Sequence, residues 1–171
     1  MSEVQIITDS TCDLSLEIIK KHNIDLVPLY VTFNDDTYKD GVDLTTKVLY
    51  KKVDEIGELP KTSSPTPADF YKVFKTYIDQ GKNILYIGLS SHLSATIQNA
   101  KLAASEFPQG KIQIIDSLNL SAGIGLLVLK AVDYANGGMD VQKIAAKIKK
   151  ITGKSRTFFA VDNLEYLQKG G

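Results

Sequence analysis

The sequence predicts an α/β domain in three layers, a mostly parallel sheet with helices on both faces (α/β/α). Two observations carry this reading. Strand-like and helix-like segments alternate along the 171 residues, as crossover-linked parallel strands require. The run Asn83 to Leu89 is near-continuously apolar and of strand length, which suits a strand covered on both faces. Composition agrees: 43% hydrophobic and 23% charged residues are ordinary for a globular chain. A chain of this length buries roughly 70% of its unfolded surface, enough for a core without staples.

The elements follow in order. Val4 to Thr8 reads as a strand, and Asp9-Ser10-Thr11-Cys12-Asp13 supplies turn and cap formers. A short helix carries Leu14, Ile18 and Ile19 on one side. Asp25 to Phe33 reads as one strand, Asn34-Asp35-Asp36 as a turn, and Thr37 to Lys39 as a returning hairpin strand. Thr45 caps a helix to about Ile56, with Leu49, Val53 and Ile56 inward. Thr66 is the next N-cap, with Pro67 at the first helical position, where a missing N–H costs nothing. Phe70, Val73, Phe74, Tyr77 and Ile78 then recur at helical spacing. A helix begins near Ser94 with Ile97, Ala100, Ala104 and Phe107 inward. Lys111 to Ile115 is a strand, Leu120 to Ala135 a helix, and Asp140 caps a helix bearing Val141, Ile144, Ala145, Ile148 and Ile151. Thr157 to Val161 reads as a last strand and Leu164 to Gln168 as the start of a helix.

Charge and motifs exclude several classes. Lys plus Arg and Asp plus Glu are 20 each, whereas a nucleic-acid binder shows a basic excess, so no nucleic-acid partner is expected. One cysteine and two separated histidines make neither a disulfide framework nor a metal site. No phosphate loop occurs, since Gly123-Ile124-Gly125 follows no strand. The longest apolar stretch, Ile124 to Leu129, is far short of the ~20 residues of a membrane span. No leader is visible at the N-terminus, and a cytoplasmic location is the expectation.

Three hydroxyl-rich clusters stand out: Asp9-Ser10-Thr11, Thr62-Ser63-Ser64, and Ser90-Ser91-His92-Leu93-Ser94-Ala95-Thr96. Ligands of open α/β sheets bind beyond the carboxyl ends of the strands. Hydroxyls and free helix N-terminal N–H groups suit an anion there. Each Ser or Thr is equally a plain N-cap, and both readings stand. A small Ser- or Asp-dependent hydrolase or phosphotransferase, using Ser91, Ser94 or Asp9, is the enzymatic alternative. Against it, Gly88-Leu89-Ser90-Ser91-His92 is not a G-x-S-x-G elbow, and Thr11 stands where aspartyl phosphotransferases carry a second Asp.

The segment Leu120 to Leu129 mixes small and bulky residues. A helix apolar nearly all round is buried, and its glycines cost about 1 kcal/mol each against alanine. Something must approach closely: a neighbouring element, or an apolar ligand in a tunnel lined by Gly123, Ile124 and Leu127. An anion site beside an apolar tunnel describes a fatty acid.

Ile7-Thr8-Asp9-Ser10-Thr11, Asp40-Gly41-Val42-Asp43, Thr62-Ser63-Ser64-Pro65-Thr66-Pro67, Ser90 to Thr96, Asp116-Ser117 and Leu164 to Gly171 recur in that order in one family. With six motifs in register over essentially its whole length, the chain resembles the DegV family of bacterial fatty-acid-binding proteins. The resemblance implies a carrier without catalysis of its own and without a cofactor. Its long-chain fatty acid would have its carboxylate on Thr62 and Ser94, with Ser63, Ser91, Ala95 and Thr96 nearby and the acyl chain in the protein interior. It implies a partner, a fatty acid kinase that makes an acyl phosphate from ATP for phospholipid synthesis. The family's L-S-G-T glycine is Ala95 here. Family chains continue past the last motif into a second domain that gives the carboxylate a basic residue. Residues 1–171 are therefore expected to be the N-terminal domain or a truncated chain; a non-binding structural remnant is the further alternative.

Overall fold

The computed structural model describes residues 3–160. In chain order the elements are β1 (Val4–Asp9), a single 3-10 turn (Ser10–Cys12), α1 (Leu16–Lys21), β2 (Asp25–Val27), β3 (Tyr30–Phe33), β4 (Asp36–Lys39), α2 (Thr46–Ile56), β5 (Lys61–Ser63), α3 (Pro67–Asp79), β6 (Asn83–Gly88), α4 (Thr96–Ala104), β7 (Ile112–Asp116), α5 (Ala122–Asn136) and α6 (Val141–Thr152).

The main sheet is parallel, in the order β2-β1-β6-β7. Side chains alternate across a strand, and each face has its own core. Ile6, Leu85, Ile87 and Ile115 meet Ile124, Leu127 and Val128 of α5, Ile144 and Ile148 of α6, and Ile19 of α1. On the other face Ile7, Ile84 and Tyr86 meet Phe70 and Phe74 of α3 and Ile97 and Ala100 of α4. Phe70 and Tyr86 pack edge to face at 5.1 Å, the arrangement that aromatic quadrupoles favour. The expected three-layer α/β/α body is present. Among the described residues no helix is long and apolar enough to cross a membrane.

Thr45, Thr66 and Asp140 each accept a hydrogen bond from the backbone three residues on. Thr66 and Asp69 form a reciprocal capping box, with Pro67 following.

Several sequence expectations change. The strand read as Asp25 to Phe33 is two strands in two sheets. Pro28 has no N–H for a ladder, and Leu29 drops into the main core. The chain then enters a separate antiparallel sheet, β4-β3-β5, in which the expected hairpin of β3 and β4 is present, whereas its separation from the main sheet and its pairing with β5 were not anticipated. Thr62 and Ser63 therefore lie on a strand, not a loop. Ile56 is 37% exposed rather than inward. α4 starts at Thr96, two residues later than read. Thr157 to Ala160 form no strand; Val161 and the helix read over Leu164 to Gln168 lie outside the described residues.

Tyr86 is fully buried and runs along β6 so that its ring covers Gly88. A Cβ at Gly88 would stand 2.6 Å from ring atoms Cε1 and Cζ. Gly88→Ala is therefore expected to lower stability by about 1–3 kcal/mol, the usual range for overpacking. In urea denaturation the midpoint should fall with the slope unchanged.

Candidate functional site

β1 has β2 on one side and β6 on the other, which makes its carboxyl end the switch point where ligands of open α/β sheets bind. Asp9, the last residue of β1, stands there with zero exposure. Its carboxylate accepts from the Tyr86 hydroxyl at 2.8 Å, the Leu89 N–H at 2.8 Å, and the N–H and hydroxyl of Thr11. A carboxylate has about four acceptor positions, and these are taken. Burial, then the Asp9 charge and hydrogen bond, push the Tyr86 hydroxyl well above the usual phenol range. Asp9 is thus a structural knot rather than an accessible nucleophile. Cys12 is also buried; burial and the charges of Asp9 and Asp13 raise its thiol pKa against a hydrogen bond from Leu14.

Around Asp9 the loops are tied to each other. The Leu29 N–H donates to Ser10 Oγ at 3.1 Å, anchoring the passage between the sheets. The Ser91 and Leu118 N–H groups both donate to Asp116 Oδ1, and the Ser90 N–H donates to the Asn119 carbonyl. Asn119 is 5% exposed. Its amide donates to the Ser117 carbonyl, and its Oδ1 accepts from Thr157. Leu118 and Ser121 hold positive φ of 50° and 53°. Such backbone is costly for residues other than glycine and concentrates at functional sites.

Asn99, in the first turns of α4, ties the end of the second hydroxyl cluster to the helix that follows the third. Its Nδ2 donates to the Pro65 carbonyl at 2.8 Å and to Ser64 Oγ at 3.3 Å. Ser94 Oγ accepts from the Thr96 N–H and lies 2.8 Å from Thr96 Oγ1. Thr96 is fully buried and Ser94 half-buried. When Thr96 donates to Ser94, the Ser94 proton is left to point outward. Thr62, Ser63 and Ser91 are exposed, and their hydroxyls have no hydrogen-bond partner among the described residues. Ala95 is the N-cap of α4 and makes no side-chain cap bond.

Beside the Ser90 loop lies a groove of 420 Å³, walled by His92, Leu93, Leu118, Leu120, Arg156 and Phe158. Its rim is open and carries an exposed apolar set, Phe158 88%, Leu93 61% and Leu118 51% exposed, beside His92, Arg156 and the polar side chains of Ser90, Asn119, Ser155 and Thr157. The α5 glycines sit against protein. A Cβ at Gly123 would meet Asn119 and Thr157, which also line this groove. One at Gly125 would come 2.9 Å from the Cys12 carbonyl oxygen. Ile124 and Leu127 belong to the packed core.

Sequence reasoning singled out the hydroxyl clusters but missed Asn99 and Asn119, which tie the segments next to them. An Asn two residues after Asp116-Ser117 at a strand end was the available signal for Asn119. Nothing local marks Asn99, since its partners are 34 and 35 residues away.

The family model described as "Uncharacterised protein, DegV family" matches residues 3–171. The chain belongs to the DegV family. A DegV domain-containing protein of Clostridium acetobutylicum is 37% identical over the whole chain. DegV of Bacillus subtilis, described as a fatty acid binding protein, superposes with a TM-score of 0.91 at 29% identity over 100% of this chain. A stearic acid-binding protein from Eubacterium ventriosum gives 0.88 at 31% identity, again over 100% of the chain. The chain spans 61%, 61% and 60% of these three DegV relatives' lengths.

The capping box beside Ser64-Pro65 carries a pH signature. Burial opposes ionisation of Asp69, but the Thr66 hydroxyl and N–H, Tyr30 and Lys72 outweigh it and hold the carboxyl below its usual value. A lowered folded-state pKa stabilises above the unfolded value, and the benefit is lost as pH falls through the folded value. The stability gap between wild type and Asp69→Asn should therefore be constant near neutrality. It should shrink as pH drops below the ordinary aspartate range, as urea midpoints at successive pH values would record.

Proposed function

We propose that this chain is the N-terminal α/β domain of a cytoplasmic DegV-type carrier that binds one long-chain fatty acid and is not itself a catalyst. The observation that carries the reading is the Asn99 bond from α4 to Ser64 and Pro65. It supports a seat shared by Thr62 and Ser63, whose hydroxyls are uncommitted, and the loop of Ser91 and Ser94. Hydroxyl donors suit a carboxylate, which only accepts hydrogen bonds. Thr62 and Ser94 hold the carboxylate, Thr96 aims the Ser94 proton, and Ser63, Ser91 and Ala95 shape the seat. The acyl chain follows the apolar set Leu93, Leu118, Leu120 and Phe158 of the groove past Gly123. Ile124 and Leu127 form the packed interior of the same helix. Relatives described as binding fatty acid support this reading, as does the buried, saturated Asp9, which disfavours the phosphotransferase alternative.

The division of labour follows from magnitudes. Each buried CH₂ is worth about 0.8 kcal/mol, so a long acyl chain brings on the order of 10 kcal/mol. Hydrogen bonds to a charged group bring about 1.5–3 kcal/mol each. Affinity lies in the tail and orientation in the hydroxyls. An oriented carboxylate with one oxygen outward is what a fatty acid kinase needs. That oxygen attacks the γ-phosphorus of ATP, ADP leaves, and the acyl phosphate forms for phospholipid synthesis.

Solvent extraction with mass spectrometry should find long-chain fatty acid on the purified protein, and calorimetry should show one site for stearate. Thr62→Ala and Ser94→Ala should each weaken binding about tenfold or more, the loss of about 1.5–3 kcal/mol; the denaturation midpoint should change little in Thr62→Ala and fall in Ser94→Ala, which leaves the buried Thr96 hydroxyl without its partner. A protein that neither carries nor binds fatty acid would overturn the assignment.

A further inference from the structure

The seat proposed above straddles two parts of unequal solidity. Ser94 stands on the body, in the loop between β6 and α4 and hydrogen-bonded to the buried Thr96. Thr62 stands on β5, in the small sheet. The residues from β3 to β5 form a lobe with a core of its own, in which only Val31, Phe33 and Leu44 are buried. α2 covers it without burying a single residue fully, leaning Leu49 and Val53 on that core and Lys52 over the Tyr38 ring at 4.9 Å. All three residues of β5 are exposed, as are three of the four in β4. The body, by contrast, buries five of the six residues in each of β1 and β6.

The lobe joins the body at three narrow places, one of them the Tyr30 hydroxyl of β3 on the Asp69 carboxylate of α3. Leu29 is held at the second, its N–H donating to Ser10 and its carbonyl accepting from the Asp40 N–H. Asn99 holds Ser64 and Pro65 at the third. Segments with few buried apolar contacts and exposed hydrogen bonds open locally, far below the global unfolding free energy.

We infer that the lobe, residues 30–63, opens and closes as a unit of its own, and that a fatty-acid carboxylate bridging Thr62 and Ser94 closes it. This rests on the carboxylate seat proposed above. The seat is then complete only in the closed form. Ligand and lobe stabilise one another, and the outer face of the hairpin and α2 is ordered when the carrier is loaded and loose when it is empty. A partner contacting that face can distinguish the two states.

Hydrogen exchange on the full chain tests this, with and without oleate, alongside calorimetry of oleate binding. Without ligand, the amides of Val31 to Phe33 and Leu49 to Val53 should exchange at least about 100-fold faster than those of Ile84 to Ile87. Oleate at about 100 times its Kd should slow exchange through lobe opening by about 100-fold, since ligand binding suppresses opening in that proportion. The amides of α6 should not respond to that extent. In Thr62→Ala the slowing should be at least tenfold smaller, and Asn99→Ala should speed lobe exchange without ligand. Lobe and body exchanging together in the absence of ligand would overturn the independent lobe. Oleate binding by calorimetry with lobe amides unchanged would overturn the closure while leaving the fatty-acid assignment intact. No oleate binding at all would overturn the assignment and the closure together, while the ligand-free pattern would still decide the lobe.

Discussion

Asp9 is a carboxylate at zero exposure, and burying such a charge is tolerable only where hydrogen bonds replace its water. Four donors from three segments do so. Thr11 comes from the turn that follows, Tyr86 from the neighbouring strand, and Leu89 from the strand's exit. Two constraints follow. Tyr86 must lie along β6 to reach Asp9, which forbids a side chain at Gly88. Leu89 is pinned, so the Ser90 loop leaves the sheet in a fixed direction. The hydroxyls of the third cluster are aimed by a bond made two strands away from the start of the small lobe.

From that exit outward the site is held by amides. Asn119 fastens the Ser90 loop to the β7–α5 connection and to Thr157. Asn99 fastens α4 to the Ser64-Pro65 turn. Between these clamps the hydroxyls of Thr62, Ser63 and Ser91 are left without internal partners among the described residues. Their exposure suits a group that must meet an incoming anion, and the saturation of Asp9 suits one that must not.

The body was legible in the sequence because its signals are local. The apolar run of β6, the Thr66-Pro67 start of α3 and the Asp140 cap all state their conformation within a few residues. The hairpin of β3 and β4 was legible from its Asn34-Asp35-Asp36 turn, but its separation into a second sheet was not, because Asp25 to Phe33 reads as one run that only Pro28 breaks. Whether a proline ends a strand or merely edges it depends on where the next strand finds partners. Those partners, Lys61 to Ser63, are about thirty residues away. The hydroxyl clusters were found as residue types, but the second lies partly on β5, and the clamps next to the clusters are long-range hydrogen bonds with no pattern along the chain. The α5 glycines were found as needing a close neighbour. The neighbours are Cys12, Leu14, Asn119 and Thr157, a choice that periodicity does not make.

The central claim is that a carboxylate sits between Thr62 and Ser94, with its tail in the adjoining groove. A crystal structure of the protein grown with stearate tests it most directly. The account predicts the carboxylate within hydrogen-bond distance of both Thr62 Oγ1 and Ser94 Oγ, with the acyl chain against Leu93, Leu118 and Phe158. A carboxylate seated instead on His92 and Arg156, with Thr62 and Ser94 untouched, would contradict it.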